Sequence, residues 1–325
     1  MELSRRIRIL AERYLIRPKR IAANAAMGRS KIKCFKTNEW SIGIYKGTSP
    51  LDLCDPADIE NPVLTAANVT DVKADFVADP FMIQKHSVWY MFFEVMHSLR
   101  GKGEIGLATS QDCRQWNYQS IVLRESFHLS YPMVFKWENE YLMVPESGEA
   151  NRIGLYKAKN FPYDWEYVMP LIEGKVWDHA LFKYQDTWWL FAGTAEPLLS
   201  NKLQLFYADD LFGPWKEHPE SPLISDDARI ARPGGGALLV DNKPVRLAQN
   251  CLPSYGNSLN AFCISTLSKT DYREHAFARN PILSPGRSAW TLHGMHHMDA
   301  HELREGEWVA CVDGYTRKVM LQVNY

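Results

Sequence analysis

One pattern recurs five times in the 325 residues and restricts the chain to very few folds. Its first copy, Ala78 to Glu94, reads as an apolar run after Asp-Pro, a polar break at Lys85-His86-Ser87, and a second apolar run from Val88 to Phe93 that ends on Glu94. That is the signature of two antiparallel strands joined by a tight turn. Further copies begin at Tyr131, Asp178, Arg232 and His297. The first four are each followed by another strand-like segment and then an aromatic mark: Trp116, Trp165, Trp215 and Tyr272. A second repeated mark lies between copies, in Asn61-Pro62-Val63-Leu64, Ser120-Ile121-Val122-Leu123, Met169-Pro170-Leu171-Ile172, Ser221-Pro222-Leu223-Ile224 and Asn280-Pro281-Ile282-Leu283. Repeats of roughly 40 to 50 residues with four short strands each are propeller blades. The expectation is an all-β chain: a five-bladed β-propeller of four-stranded antiparallel blades over residues 37–325, preceded by a basic extension over residues 1–36.

The fifth copy is short of a strand, since only Arg317 to Val323 remain after its hairpin. Trp40 to Lys46 resembles Ile153 to Lys157 in the second copy and is predicted to supply the missing outer strand. Such a closure removes the free edges an open array would present.

The extension is strongly basic, with Arg5, Arg6, Arg8, Arg13, Arg17 and Lys19 among its cations and only Glu2 and Glu12 against them. Leu3, Ile7, Leu10 and Tyr14 lie at helical spacing, which predicts an amphipathic helix ended by Pro18. Residues 1–33 then either dock on an anionic membrane surface or a partner protein, or form a solvated helix on the outside of the domain. The net charge of -1 gives no global field for nucleic acid. Six scattered cysteines without a CxxC pair predict reduced thiols and a cytoplasmic protein. No apolar stretch is long enough to span a bilayer, and the N-terminal arginines precede no continuous apolar core of a secretory signal.

In a blade the start of the first strand and the end of the second meet at the same rim. That rim is expected to gather Asp79 and Glu94, Tyr131 and Glu146, Asp178 and His179, Arg232 with Gln249 and Asn250, and His296, His297, Asp299 and Asp313. The opposite rim carries only polar hairpin turns. Buried charge at a narrow opening is costly unless paired or used. Two readings stand: an ion network tying neighbouring blades, or a site. Arg100, Arg152 and Arg232 suit an anionic substrate group, and His293 and His296 suit the mouth as substrate-binding or acid–base groups. On a strand His297, Asp299 and His301 share one face. That set either holds a divalent cation or hydrogen-bonds across the channel; no cofactor is expected and the cation is the second choice. Gly234-Gly235-Gly236 permits close backbone approach but is not a phosphate loop.

Ala78-Asp79-Pro80-Phe81 and Trp177-Asp178-His179-Ala180-Leu181-Phe182 resemble the five-bladed propellers of glycoside hydrolase family 43 and its relatives, families 32, 68 and 130. Trp215-x-x-His218-Pro219-x-Ser221-Pro222, Ala231-Arg232-Pro233-Gly234-Gly235 and Gly294-Met295-His296-His297-Met298-Asp299 narrow the resemblance to the N-terminal propeller domain of plant glucosamine inositolphosphorylceramide transferases. Family 43 implies a base Asp, a second orienting Asp and an acid Glu. Asp79 matches the base; Asp178 matches the orienting residue, with His179 where proline is usual. No residue matches the acid directly: Arg232 and Gln249 occupy the fourth copy, leaving Glu146, and less well placed Glu196, as candidates. The resemblance therefore implies an enzyme of glycan or glycolipid metabolism acting at a glycosidic bond, by hydrolysis or transfer. The alternatives are a non-catalytic propeller holding a glycan or nucleotide sugar for a partner transferase, or one reused for another transfer reaction.

Overall fold

The computed structural model describes residues 31–196 and 199–324, with side chains over 37–194 and 201–318. The expected helix in the basic segment, and the Glu196 side chain, lie outside the described residues. Five antiparallel sheets account for the rest. The first blade is built from Ala74–Lys85, Val88–His97, Lys102–Ser110 and Asn117–Leu123, and the second from Ser130–Trp137, Glu140–Glu146, Arg152–Asn160 and Asp164–Glu173. The third comprises Val176–Tyr184, Thr187–Glu196, Leu199–Ala208 and Lys216–Glu217. In the fourth the innermost strand is broken into Arg232–Pro233 and Leu238–Val240, followed by Lys243–Asn250, Ser258–Leu267 and Tyr272–Ala276.

The sheets form a ring because each is apolar on both faces. Side chains alternate across a strand, so the run Met91-Phe92-Phe93 is divided between two neighbours. Met91 and Phe93 join a core with Ile42, Ile44 and Val309 of the fifth blade, whereas Phe92 joins Tyr131, Met143 and Tyr156 of the second. Leu190 and Ala192 likewise pack with Leu142 and Leu155, while Trp189 and Phe191 pack with Ile264 and Tyr272. A fifth cluster, with Leu247, Leu259, Met298 and Val312, seals the fourth blade to the fifth.

The fifth blade differs from the expectation in one respect. Its hairpin is Met298–Arg304 with Glu307–Asn324, and the N-terminal strand Lys31–Gly47 pairs along the full second strand. The Trp40 segment is thus the third strand and not the outer one; Leu53–Cys54 is outermost. Arg317 to Val323 is no separate strand but the continuation of the second. Beyond Ile42↔Asp313, this pair continues from Trp40↔Tyr315 out to Lys31↔Asn324, a two-stranded ribbon that projects about 30 Å at the usual strand rise.

The second repeated mark is where each blade hands the chain to the next. Leu64, Ile224 and Leu283 form bridges to Ile42, Leu203 and Leu259 on third strands, while Ile121 and Pro170 pair within outer strands. Asn61 and Asn280 perform the same service in different blades. Each side chain bonds both the N–H and the C=O of one third-strand residue, Ile44 and Ala261 respectively.

Irregular first strands set up the channel. The ladder slips between Ala78 and Phe81, between Ser130 and Met133, and between Trp177 and His179. Asp79 (φ 52°) and Tyr131 (φ 51°) occupy the left-handed region at equivalent places. A bulge re-aims side chains, and a tyrosine held there stores backbone strain. In the fourth blade Gly235 (φ 149°) lies so near the fifth that a Cβ would come 2.0 Å from the Met298 carbonyl oxygen, which explains the glycines of the broken strand.

Candidate functional site at the channel mouth

Two linked groups occupy the expected rim. The first is centred on Asp313, where the fifth blade's long second strand passes the rim, and fully buried. Its Oδ2 accepts the Asp79 N–H (3.0 Å), and its Oδ1 accepts the His297 N–H (3.1 Å) and lies 2.8 Å from His296 Nδ1. The other ring nitrogen of His296 is 3.0 Å from Tyr255 Oη and 3.7 Å from Asp79 Oδ1. Trp40 stacks on the His296 ring at 4.1 Å, and Tyr255 meets it edge-on at 5.1 Å. One carboxylate thereby fixes the start of the first blade and both histidines of the fifth.

The second group is centred on Asp178, at the start of the third blade. Its Oδ2 accepts Arg232 Nε at 2.7 Å and Gln249 Nε2 at 2.6 Å, both from the fourth blade. Gln249 also donates to the Pro233 carbonyl at 2.7 Å, and the Arg232 guanidinium lies 4.9 Å over the Tyr255 ring. Tyr255 therefore touches both groups.

Their electrostatics diverge. Burial raises Asp79 to about 8; His296 pulls it down, and the charges of Asp178 and Asp313 push it further up. Burial also acts against the charged form of Asp178, but Arg232 and then His296 and Gln249 outweigh it and hold the carboxyl below its ordinary value. Asp313 is likewise held low against burial, by His296 above all. Burial disfavours the His296 imidazolium, yet Asp313 and Asp79 raise its pKa. Burial drives His179 down to about 4. The mouth thus sets a carboxyl that keeps its proton beside one that does not.

Four buried polar atoms here have no hydrogen-bond partner among the described residues: Asp79 Oδ1, Asp178 Oδ1, Gln249 Oε1 and His179 Nε2. Buried polar atoms are ordinarily satisfied. Such a set suits a ligand rich in hydroxyls.

The other expected residues are spread around the rim. Tyr131 is fully buried in the channel, where its Oη accepts the Gly235 N–H at 2.5 Å and its ring meets His297 at 5.0 Å. Burial, reinforced by Asp178 and Asp79, raises this phenol well above its usual pKa. Glu146 accepts from Ser130 Oγ (2.9 Å) and the Gly148 N–H (2.8 Å), both in its own blade. Glu94 lies 3.3 Å from His128, on the loop entering the second blade. Arg100 is bound to Glu104 at 2.6 Å, and Arg152 lies 4.4 Å over the Tyr167 ring, so both are engaged with strands farther out. The His293 N–H donates to the Tyr315 carbonyl at 3.1 Å. His297 meets the Pro80 carbonyl at 2.9 Å, and Asp299 Oδ2 accepts the Met82 N–H while lying 2.8 Å from His301. The described residues whose ligand atoms come within reach of one another, 4.8 Å, are Asp79, His296 and Asp313, not the strand-face set His297, Asp299 and His301. Tyr255 and Trp40 were not among the candidates: Tyr255 sits on a loop outside the repeat, and Trp40 reads as core.

The family model described as glucosamine inositolphosphorylceramide transferase 1, N-terminal, matches residues 34–315. The chain belongs to this family. Proteins named glucosamine inositolphosphorylceramide transferase 1 are similar: that of Oryza sativa subsp. japonica is 36% identical over 296 residues, covering 85% of this chain and 40% of the rice protein. The Arabidopsis thaliana protein is 32% identical over 324 residues, covering 93% and 42%. The chain thus spans about two fifths of the length of the curated relatives it matches. Among solved structures, a thermostable family-43 glycoside hydrolase superposes with a TM-score of 0.56 at 15% identity, covering 82% of this chain and 96% of that one. The α-L-arabinofuranosidase of Podospora anserina gives 0.53 at 11% identity, covering 74% and 90%. At such identities the likeness is one of fold.

Proposed function

We propose that the channel mouth binds a carbohydrate or glycoconjugate and acts at its glycosidic bond, by hydrolysis or transfer. The observation that carries this reading is the juxtaposition of Asp79 and Asp178 in opposite protonation states, with unpartnered buried atoms around them. Glycosidic cleavage needs one protonated and one ionised carboxyl. Asp79 donates its proton to the departing oxygen. Asp178, kept ionised by Arg232 and Gln249, faces the developing positive charge or the attacking hydroxyl. The attacking hydroxyl gives its proton to Asp178, and His296, on Asp313 and Tyr255, relays that proton back to Asp79. These roles differ from the sequence expectation, in which the family-43 resemblance makes Asp79 the base and Glu146 is the candidate acid. Glu146, Tyr131 and His179 then line the sugar pocket. The names of the relatives and the fold shared with glycosidases support a glycan substrate.

Asp79→Asn is expected to lower turnover of the responsive glycoside by about a hundredfold or more with a nearly unchanged melting temperature. Wild-type turnover should fall as pH rises through about 8, where Asp79 loses its proton. A large loss of stability with no specific loss of turnover would return Asp79 to the inter-blade network. The second reading is a binding propeller serving a partner transferase. It draws on the relatives, which bear a transferase name and extend well beyond the matched length. Glycan binding by calorimetry, with no product from a broad glycoside panel, selects it.

A further inference from the structure

Tyr255, which touches both groups of the mouth, completes a further array there. Asp313 Oδ1 lies 2.8 Å from His296 Nδ1, and the other ring nitrogen, Nε2, lies 3.0 Å from Tyr255 Oη. A proton on Nδ1, held by Asp313, leaves Nε2 of the neutral ring with its lone pair toward the hydroxyl. A carboxylate, an imidazole oriented by it and a hydroxyl against that imidazole form the arrangement by which hydroxyls are made nucleophilic. Burial weakens His296 as a base, but Asp313 and Asp79 outweigh it and raise its pKa. Asp79 Oδ1 lies 3.7 Å from the same Nε2, so the proposed acid and this hydroxyl flank one ring nitrogen.

Tyr255 sits on a loop outside the repeat, yet the loop is pinned on both sides of it. Ser254 Oγ lies 3.3 Å from Tyr315 Oη and accepts from Arg317 at 3.3 Å. Gly256 (φ 71°) is pressed so close to the mouth that a Cβ would fall 2.4 Å from the Trp40 ring. Trp40 meets the Tyr255 ring edge-on at 6.2 Å, and the Arg232 guanidinium lies over it at 4.9 Å. A neighbouring cation favours the ionised form of a phenol, so Arg232 stabilises the negative charge that grows on the oxygen as its proton leaves.

We propose that Tyr255 is the nucleophile of the channel mouth: it attacks the anomeric carbon of the bound glycoside and carries the sugar as a covalent intermediate, so that configuration is retained. This rests on the glycan reading above and gives it a two-step course. In the first step the bond from Tyr255 Oη to the anomeric carbon forms, and the bond to the departing oxygen breaks. The phenol proton passes to His296 Nε2, and the Asp79 proton passes to the departing oxygen. In the second step a hydroxyl of water or of an acceptor glycan displaces Tyr255. Its proton goes to Asp178, and His296 returns the phenol proton to Tyr255. The proton on Asp178 then travels through His296 to Asp79, which restores the starting state. Retaining glycosidases hold their two catalytic groups about 5 Å apart, and two oxygens that share one ring nitrogen are compatible with that spacing.

The test is to trap the intermediate. The full chain is incubated with a panel of dinitrophenyl glycosides fluorinated next to the anomeric carbon, which form the covalent species quickly and release it slowly. One sugar mass is expected on the protein, mapped to Tyr255 by peptide mass spectrometry. An aryl sulfonyl fluoride, which needs no sugar pocket, should label Tyr255 about tenfold or more faster than exposed Tyr163. Tyr255→Phe keeps the ring under Arg232; it should melt like wild type, take no adduct and lose about a thousandfold or more of turnover. Inversion at the anomeric carbon, an adduct on Asp178, or a Tyr255→Phe variant that turns over like wild type overturns the proposal and leaves the glycan reading standing. Sulfonyl labelling no faster at Tyr255 than at Tyr163 overturns it too. Glycan binding with neither turnover nor adduct overturns it in favour of the binding propeller. No glycan bound, turned over or trapped removes the glycan reading, and the proposal with it.

Discussion

At the residue scale, the Arg232–Asp178 pair bears most weight. It lies at the junction of two blades, with Asp178 almost fully buried and the Arg232 side chain only 14% exposed. Removing one partner of a buried pair strands the other charge, at a cost of about 3–5 kcal/mol. Arg232→Met is therefore expected to lose about that much stability in urea unfolding, and Asp178→Asn added to it should restore most of the loss. If the two effects simply add, the pair is not the unit described here. Much of this chemistry was legible in the sequence, because Asp178, Arg232 and Gln249 stand at matching places in the repeat. What was not legible is which atoms pair and which stay unpartnered. Asp313 illustrates the middle case: its place after the second strand of the fifth copy put it at the rim, but its hold on the backbone of Asp79, His296 and His297 depends on the closure of the ring. Tyr255 had no signal, since loops carry no periodicity.

At the element scale, the N-terminal strand decides whether there is a ring at all. Lys31–Gly47 pairs with seventeen residues of Glu307–Asn324 and brings Ile42 and Ile44 into the core between the fifth and first blades. A chain lacking residues 1–47 should expose that edge, lose cooperative unfolding and aggregate; a soluble, cooperatively melting product of this deletion would show that closure is dispensable. The sequence revealed the need for a closing strand from a shortfall in the fifth copy. It misplaced that strand by one position because Arg317 to Val323 looked like an independent segment, whereas the long second strand runs straight through it. Apolar periodicity identifies strands; it does not say where one strand stops and the next begins.

At the scale of the whole molecule, five interfaces of alternating apolar residues bring distant parts of the chain to one opening, and there burial does the chemical work. Asp79 and Asp178 are the same residue type, each inside the ladder slip of a first strand. They differ because Arg232 and Gln249 stand beside one while burial dominates the other. The most direct measurement is a carbon-13 carboxyl titration of the wild-type protein and Asp79→Asn. The expected result is one aspartate signal with a midpoint near 8, absent from the variant, while the Asp178 signal stays ionised across the neutral range. Wild-type spectra in which every carboxyl has lost its proton below neutrality, or in which the high signal survives Asp79→Asn, would contradict it.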